Sequence, residues 1–123
     1  MAQHNNVGSW GEKLAIDYLI SKGYAIRETN WKLQHYEIDI IAMKNNRIVF
    51  VEVKTRSNYD DDPLRAVDRK KMQRMVSAAN AYVTTRNVPH EIQYDVITIN
   101  GTPEDYTLEH IDDAFWAPLR TFR

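Results

Sequence analysis

A chain of 123 residues with a formal net charge of −1 is the size of one ordinary domain, with room for a single core. The lack of cysteine excludes disulfides and thiolate metal sites and fits a reducing compartment. The polar start, Met1 to Val7, carries neither a signal-peptide nor a membrane-span pattern, and no stretch reads as linker or repeat, so a single soluble cytoplasmic domain is expected.

The first helix is expected to run from Ser9 to near Gly23, a good residue just past a helix end. Gly11, Leu14, Ala15, Tyr18 and Leu19 form its apolar stripe. Glu12 borders that stripe and has two readings. It could face the sheet, or it could close a capping box with Ser9. Tyr24 to Trp31 reads as an edge-like strand, and Lys32 to His35 as a turn. Trp31, His35 and Tyr36 suit base stacking, but aromatics at strand ends are more often packing. A single His beside a turn reads as a bystander.

Two strands follow, Tyr36 to Met43 and Ile48 to Val53, joined by Lys44-Asn45-Asn46-Arg47. A two-residue turn with Asn45 and Asn46 at its tip makes Lys44 pair with Arg47, because Asn tolerates the positive φ such turns need. That register sets Asp39 opposite Glu52, and Glu37 opposite Lys54. Counting from the turn, Asp39 and Glu52 form a non-hydrogen-bonded pair, where Cα atoms lie about 4.5 Å apart. Like charges so placed are destabilising unless they share a proton or a cation. Lys54 follows Glu52 on the same face by the period of two. Two carboxylates with an ammonium alongside suit a hard divalent ion at a phosphodiester.

Charged residues on a strand face are more often simply solvated. The flanking residues argue otherwise. Ile38, Ile40 and Ala42 fill one face, Ile41, Ile48 and Phe50 the other, with Val49, Val51 and Val53 behind. Strands apolar on both faces are buried on both, so the carboxylates are expected at the rim of a core.

After Lys54 the polar run Thr55 to Pro63 reads as a loop, its three aspartates solvated rather than calcium-binding. Asp68 is the expected N-cap of a helix over Arg69 to Thr85, with Met72, Met75, Val76, Ala79, Tyr82 and Val83 as its buried stripe. From Leu64 to Asn87 there are six basic residues and one acid; from Glu91 to Asp113 there are seven acids and no Lys or Arg. The neutral total thus hides a basic face, with Arg56, Arg65, Lys70, Lys71 and Arg74 suited to phosphates. Ile92 to Ile99 is a buried strand in which Asp95 is read as structural. Asn100-Gly101 is expected to turn the chain into a shorter strand, Tyr106 to Ile111, and residues 112–123 form a tail.

Together, Gly11-Glu12-Lys13-Leu14-Ala15, Glu37-Ile38-Asp39, Val51-Glu52-Val53-Lys54-Thr55-Arg56-Ser57, Ala66-Val67 and Tyr94-Asp95-Val96-Ile97 resemble the small bacterial YraN-like family of the PD-(D/E)xK nuclease superfamily. The resemblance spans about Gly8 to Ile99. It implies Asp39 and Glu52 as metal ligands, Lys54 as catalytic lysine, and Glu12 as the acid many relatives supply from their first helix. Tyr36 departs from the small Gly usual before the E-x-D.

The resulting expectation is a three-layer, restriction-endonuclease-like α/β fold with a mixed sheet of four to five strands and two helices. The expected activity is Mg²⁺- or Mn²⁺-dependent cleavage of DNA, with RNA the weaker choice, leaving a 3′-hydroxyl and a 5′-phosphate as the resemblance implies. The Val53 carbonyl completes the metal shell and Glu37 orients Lys54. A junction-cutting activity would favour a homodimer, since such a substrate has two strands to cut. The alternative is a nucleic-acid-binding module with this fold and little or no catalysis.

Overall fold

The computed structural model describes residues 2–56, 68–88 and 91–115, with side chains from Trp10 onward. Helix α1 (Ala2–Ser21) precedes strands β1 (Ala25–Leu33), β2 (Tyr36–Lys44) and β3 (Arg47–Arg56); helix α2 (Arg69–Arg86) then leads to β4 (Glu91–Thr102) and β5 (Asp105–Phe115). The sheet order is β1-β2-β3-β4-β5. Only β3 and β4 run parallel, and α2 lies between them in sequence, as a crossover requires. The expected mixed sheet with two helices is therefore present.

Strand alternation builds the layers. Ile48 and Phe50 of β3 join Met75, Val76, Ala79 and Tyr82 of α2 in one core. Val49 and Val51, of opposite parity, join Ala15 and Leu19 of α1 in the other. Helix, sheet and helix stack as three layers. Tyr82, fully buried, anchors α2 by donating to Glu28 Oε2 at 2.8 Å and accepting from Arg27 Nε at 2.9 Å.

The turns follow their residue chemistry. Asn45 and Asn46 have φ of 50° and 64°, the two left-handed positions of the expected tight turn. Lys44 pairs with Arg47 as the register requires. Gly23, with φ of 92°, ends α1, and the Tyr24 N–H returns to the Leu19 carbonyl at 3.0 Å. The Asp68 side chain accepts the Lys71 N–H at 2.9 Å and caps α2.

Several expected boundaries need correction. Helix α1 starts at Ala2, so Ser9 lies inside it and cannot be its cap. Strand β1 extends past Trp31 to Leu33. Strand β4 continues through Asn100 and Gly101 to Thr102, and the turn falls on Pro103-Glu104. Strand β5 extends to Phe115, held by the stacking of Phe115 on Tyr94 with ring centroids 4.8 Å apart. Thr55 and Arg56, expected to open a loop over Thr55 to Pro63, belong to β3; the rest of that loop, and Arg65, lie outside the described residues.

Helix α1 lies tight against β3 at Gly11. A Cβ there would stand 2.0 Å from Thr55 Oγ1 and 3.1 Å from Thr55 Cβ. A β-branched threonine on a strand has little freedom to swing away. Gly11→Ala is expected to cost about 1–3 kcal/mol through overpacking. Thermal unfolding should show the loss, and Thr55→Ala in the same chain should recover most of it.

Candidate metal centre and nucleic-acid cleft

The β2–β3 ladder runs from Lys44/Arg47 to Ile40/Val51 and ends there. Continued pairing would give the Val53 N–H to the Ile38 carbonyl. Instead it donates to Asp39 Oδ2 at 2.8 Å. A side chain replaces the backbone acceptor. Ile38 sits in the α2-side core and Ile40 in the α1-side core, although both have the same parity. The alternation therefore breaks at Asp39, and its carboxylate reaches between the strands. On β1, Thr29 pairs with Ile40 and Trp31 with Ile38, leaving Asn30, with φ of 50°, beside the break.

The end of the ladder at Ile40/Val51 corrects the expected cross-strand pairings of Asp39 with Glu52 and of Glu37 with Lys54, neither of which is in the register. Glu37 pairs with Lys32 on β1, and Lys54 pairs with Thr98 on β4. Ile38, Ile40 and Ala42 do not share one face, for the same reason.

Asp39 and Glu52 are nonetheless brought together. They line a cleft of about 530 Å³ with His35, Tyr36 and Glu37 on one side and Lys70, Lys71, Gln73, Arg74 and Met75 of α2 on the other. Burial and the neighbouring Glu52 charge push the Asp39 carboxyl up to about 7, against the opposing Val53 N–H. The Glu12 charge pushes the same way and the Lys71 ammonium opposes it. Glu12 itself accepts from Asn30 Nδ2 at 2.9 Å, which ties α1 to β1 beside the break.

Glu52 already has a cation. Lys71 Nζ lies 2.9 Å from Glu52 Oε2, with side chains 30% and 16% exposed. Sequence reasoning put Lys71 off the buried stripe, facing solvent or nucleic acid. Its position in the first turn of α2 gave no sign that it would reach a strand carboxylate. Lys54 is exposed and is not among the described residues that line the cleft. Arg56 is half-buried at the end of β3, paired with Asn100 on β4.

Two carboxylates on one cleft, Asp39 with its carboxyl raised by burial and by Glu52, and Glu52 paired with an ammonium, form a donor set that fits a hard divalent ion. Asp39, Glu52 and the Val53 carbonyl would hold it, with water and substrate phosphate completing its shell. Among the described residues there is no group of three or more His, Cys, Asp or Glu side chains able to hold a metal.

On the α1 side of the sheet, where Asp95 lies in register with Val51 beside Glu52, stands a polar hub that the sequence announces only in part. Asp95, fully buried, accepts from His110 Nε2 at 2.8 Å, Gln93 Nε2 at 2.8 Å, the Asp113 N–H at 3.0 Å and the Tyr24 hydroxyl at 3.0 Å. His110 Nδ1 meets the Tyr18 hydroxyl at 3.0 Å. Burial would raise the Asp95 carboxyl, but these hydrogen bonds, His110 first, bring it below its ordinary value. The hub ties α1, the turn after it, β4 and β5, which bears out the structural reading of Asp95. An acid interrupting an apolar strand was its signal; His110 had none.

No helix among the described residues is long and apolar enough to cross a membrane. The model of the uncharacterised protein family UPF0102 matches residues 11–99. A UPF0102 protein of Flavobacterium psychrophilum is 45% identical over 117 residues, covering 94% of this chain and 98% of the relative. Those of Parabacteroides distasonis and Bacteroides thetaiotaomicron are each 44% identical, covering 98% and 97% of this chain and 100% and 99% of theirs. The chain belongs to the UPF0102 family, the YraN-like family that its motifs resemble.

Proposed function

We propose that this protein is a metal-dependent endonuclease of the PD-(D/E)xK type acting on DNA. The observation that carries the reading is the Asp39–Glu52 pair in a cleft whose opposite wall bears Lys70, Lys71 and Arg74. Like-charged carboxylates crowded at the edge of a core are costly without a cation, and the basic wall suits the phosphates of a bound strand. Mg²⁺ or Mn²⁺ would supply Lewis-acid polarisation of the phosphate and an activated water. The chain's part is to orient the Asp39 carboxylate through the Val53 N–H, and to grip the backbone with the α2 cations. Glu12, beside Asp39, is positioned to tune the pair.

A second reading, a nucleic-acid-binding module without catalysis, draws on Lys54 being exposed and not lining the cleft, and on the ion pair that occupies Glu52. One assay separates them. Linear, flapped and branched DNA are incubated with Mn²⁺ and either wild type or Asp39→Asn. The nuclease reading expects cutting by wild type, lost in the variant with salt-sensitive binding retained. Salt-sensitive binding without cutting of any substrate would select the module. Binding that ignores ionic strength would contradict both.

A further inference from the structure

The cation on Glu52 belongs to the protein itself, and this has consequences for how the cleft loads. Lys71 stands on the first turn of α2, where the Asp68 cap fixes the backbone at its own N–H. From there its ammonium reaches across the cleft to Glu52 at 2.9 Å, and its charge is also felt by Asp39. Lys70 and Arg74 line the same wall and are exposed. An ammonium and a divalent ion cannot both neutralise one carboxylate at full strength. Any metal on Glu52 must therefore loosen Lys71, and a phosphate in the cleft gives that ammonium another partner.

We propose that Lys71 is the resident counter-ion of the carboxylate pair, exchanged from Glu52 to a DNA phosphate as the metal binds. The inference rests on the metal-site reading above and adds a role for a residue outside the E-x-K motif. Metal and phosphodiester then bind with positive linkage, and linkage is reciprocal: each tightens the other by the same factor. Lys71 acts as a positioning residue. It offsets one charge of the empty pair and delivers its own charge to the backbone only once the pair is filled.

The test is calorimetric titration of Mn²⁺ into wild type, Lys71→Met and Lys70→Met. Each is measured with and without a short phosphorothioate duplex, after subtracting Mn²⁺ binding to the duplex itself. Lys70→Met removes the same charge from the same wall and so controls for the general field. Without duplex, Lys71→Met should bind Mn²⁺ roughly three- to tenfold more tightly than Lys70→Met. Duplex should tighten Mn²⁺ binding in wild type and in Lys70→Met, and have a clearly smaller effect in Lys71→Met. Equal Mn²⁺ affinities for the two variants, or an equal duplex effect, would overturn the exchange while leaving the metal site standing. Absence of Mn²⁺ binding in all three proteins, with or without duplex, would instead overturn the metal-site reading and the exchange with it.

Discussion

Asp39→Asn is expected to stabilise the metal-free protein at pH 8 while removing its metal site. The Asp39 carboxyl is raised from 3.8 to about 7 by burial and by Glu52. A group raised on folding contributes its stability at low pH, and that contribution is lost as pH rises through the folded value. Wild type should therefore weaken between about pH 4 and pH 8 as Asp39 ionises beside Glu52. Asparagine keeps an oxygen for the Val53 N–H but carries no charge. The gain at pH 8 is expected to be about 1–3 kcal/mol, since one pKa unit corresponds to about 1.4 kcal/mol and Lys71 relieves part of the repulsion. Thermal unfolding at pH 5 and pH 8 checks the sign. The variant's advantage should be small at pH 5 and large at pH 8, and Mn²⁺ should raise the midpoint of wild type only. A variant less stable than wild type at pH 8 would contradict the repulsion.

Asp95→Ala has the opposite character and the larger cost in stability. It removes the acceptor for His110, Gln93, Tyr24 and the Asp113 N–H together, leaving these donors unpaired in or beside a core. Breaking a buried charged partner costs about 3–5 kcal/mol, against a total stability of about 5–15 kcal/mol for a domain. The pH dependence again follows from the sign. Because the Asp95 carboxyl lies below its ordinary value, its contribution is present above the unfolded pKa and lost as pH falls through the folded one. Urea unfolding at pH 7 should show the full loss, and the gap between wild type and Asp95→Ala should narrow in acid. A gap that stays constant down to pH 3 would mean that the carboxylate charge plays no part.

The hairpin was legible because its determinants are local. Two asparagines that accept positive φ fix the turn, and a strict period of two then carries the register down to Ile40 and Val51. What that pattern could not show was where the ladder stops. Asp39 takes the N–H that the Ile38 carbonyl would have accepted, and side-chain capture of a backbone donor leaves no trace in hydrophobic alternation. The carboxylate pair was therefore found while the Glu37–Lys54 pairing derived from it was not. The start of α1 was missed because the residues before Ser9 carry no apolar stripe to signal a helix. Lys71 was seen as basic but not as the partner of Glu52. That contact depends on how α2 crosses the sheet, and a charged residue in a first helical turn otherwise reads as solvated. His110 is tied to Asp95 through the β4–β5 register and a shift between Tyr94 and Val96, which no pattern within either strand announces.

Asp39 and Glu52 are proposed as a metal centre. Its most direct measurement is titration of Mn²⁺ into wild type and Asp39→Asn by calorimetry at pH 8, up to millimolar metal. Saturable binding to wild type that disappears in Asp39→Asn is the predicted result. Equal binding by both proteins, or none by wild type even with DNA present, would contradict it.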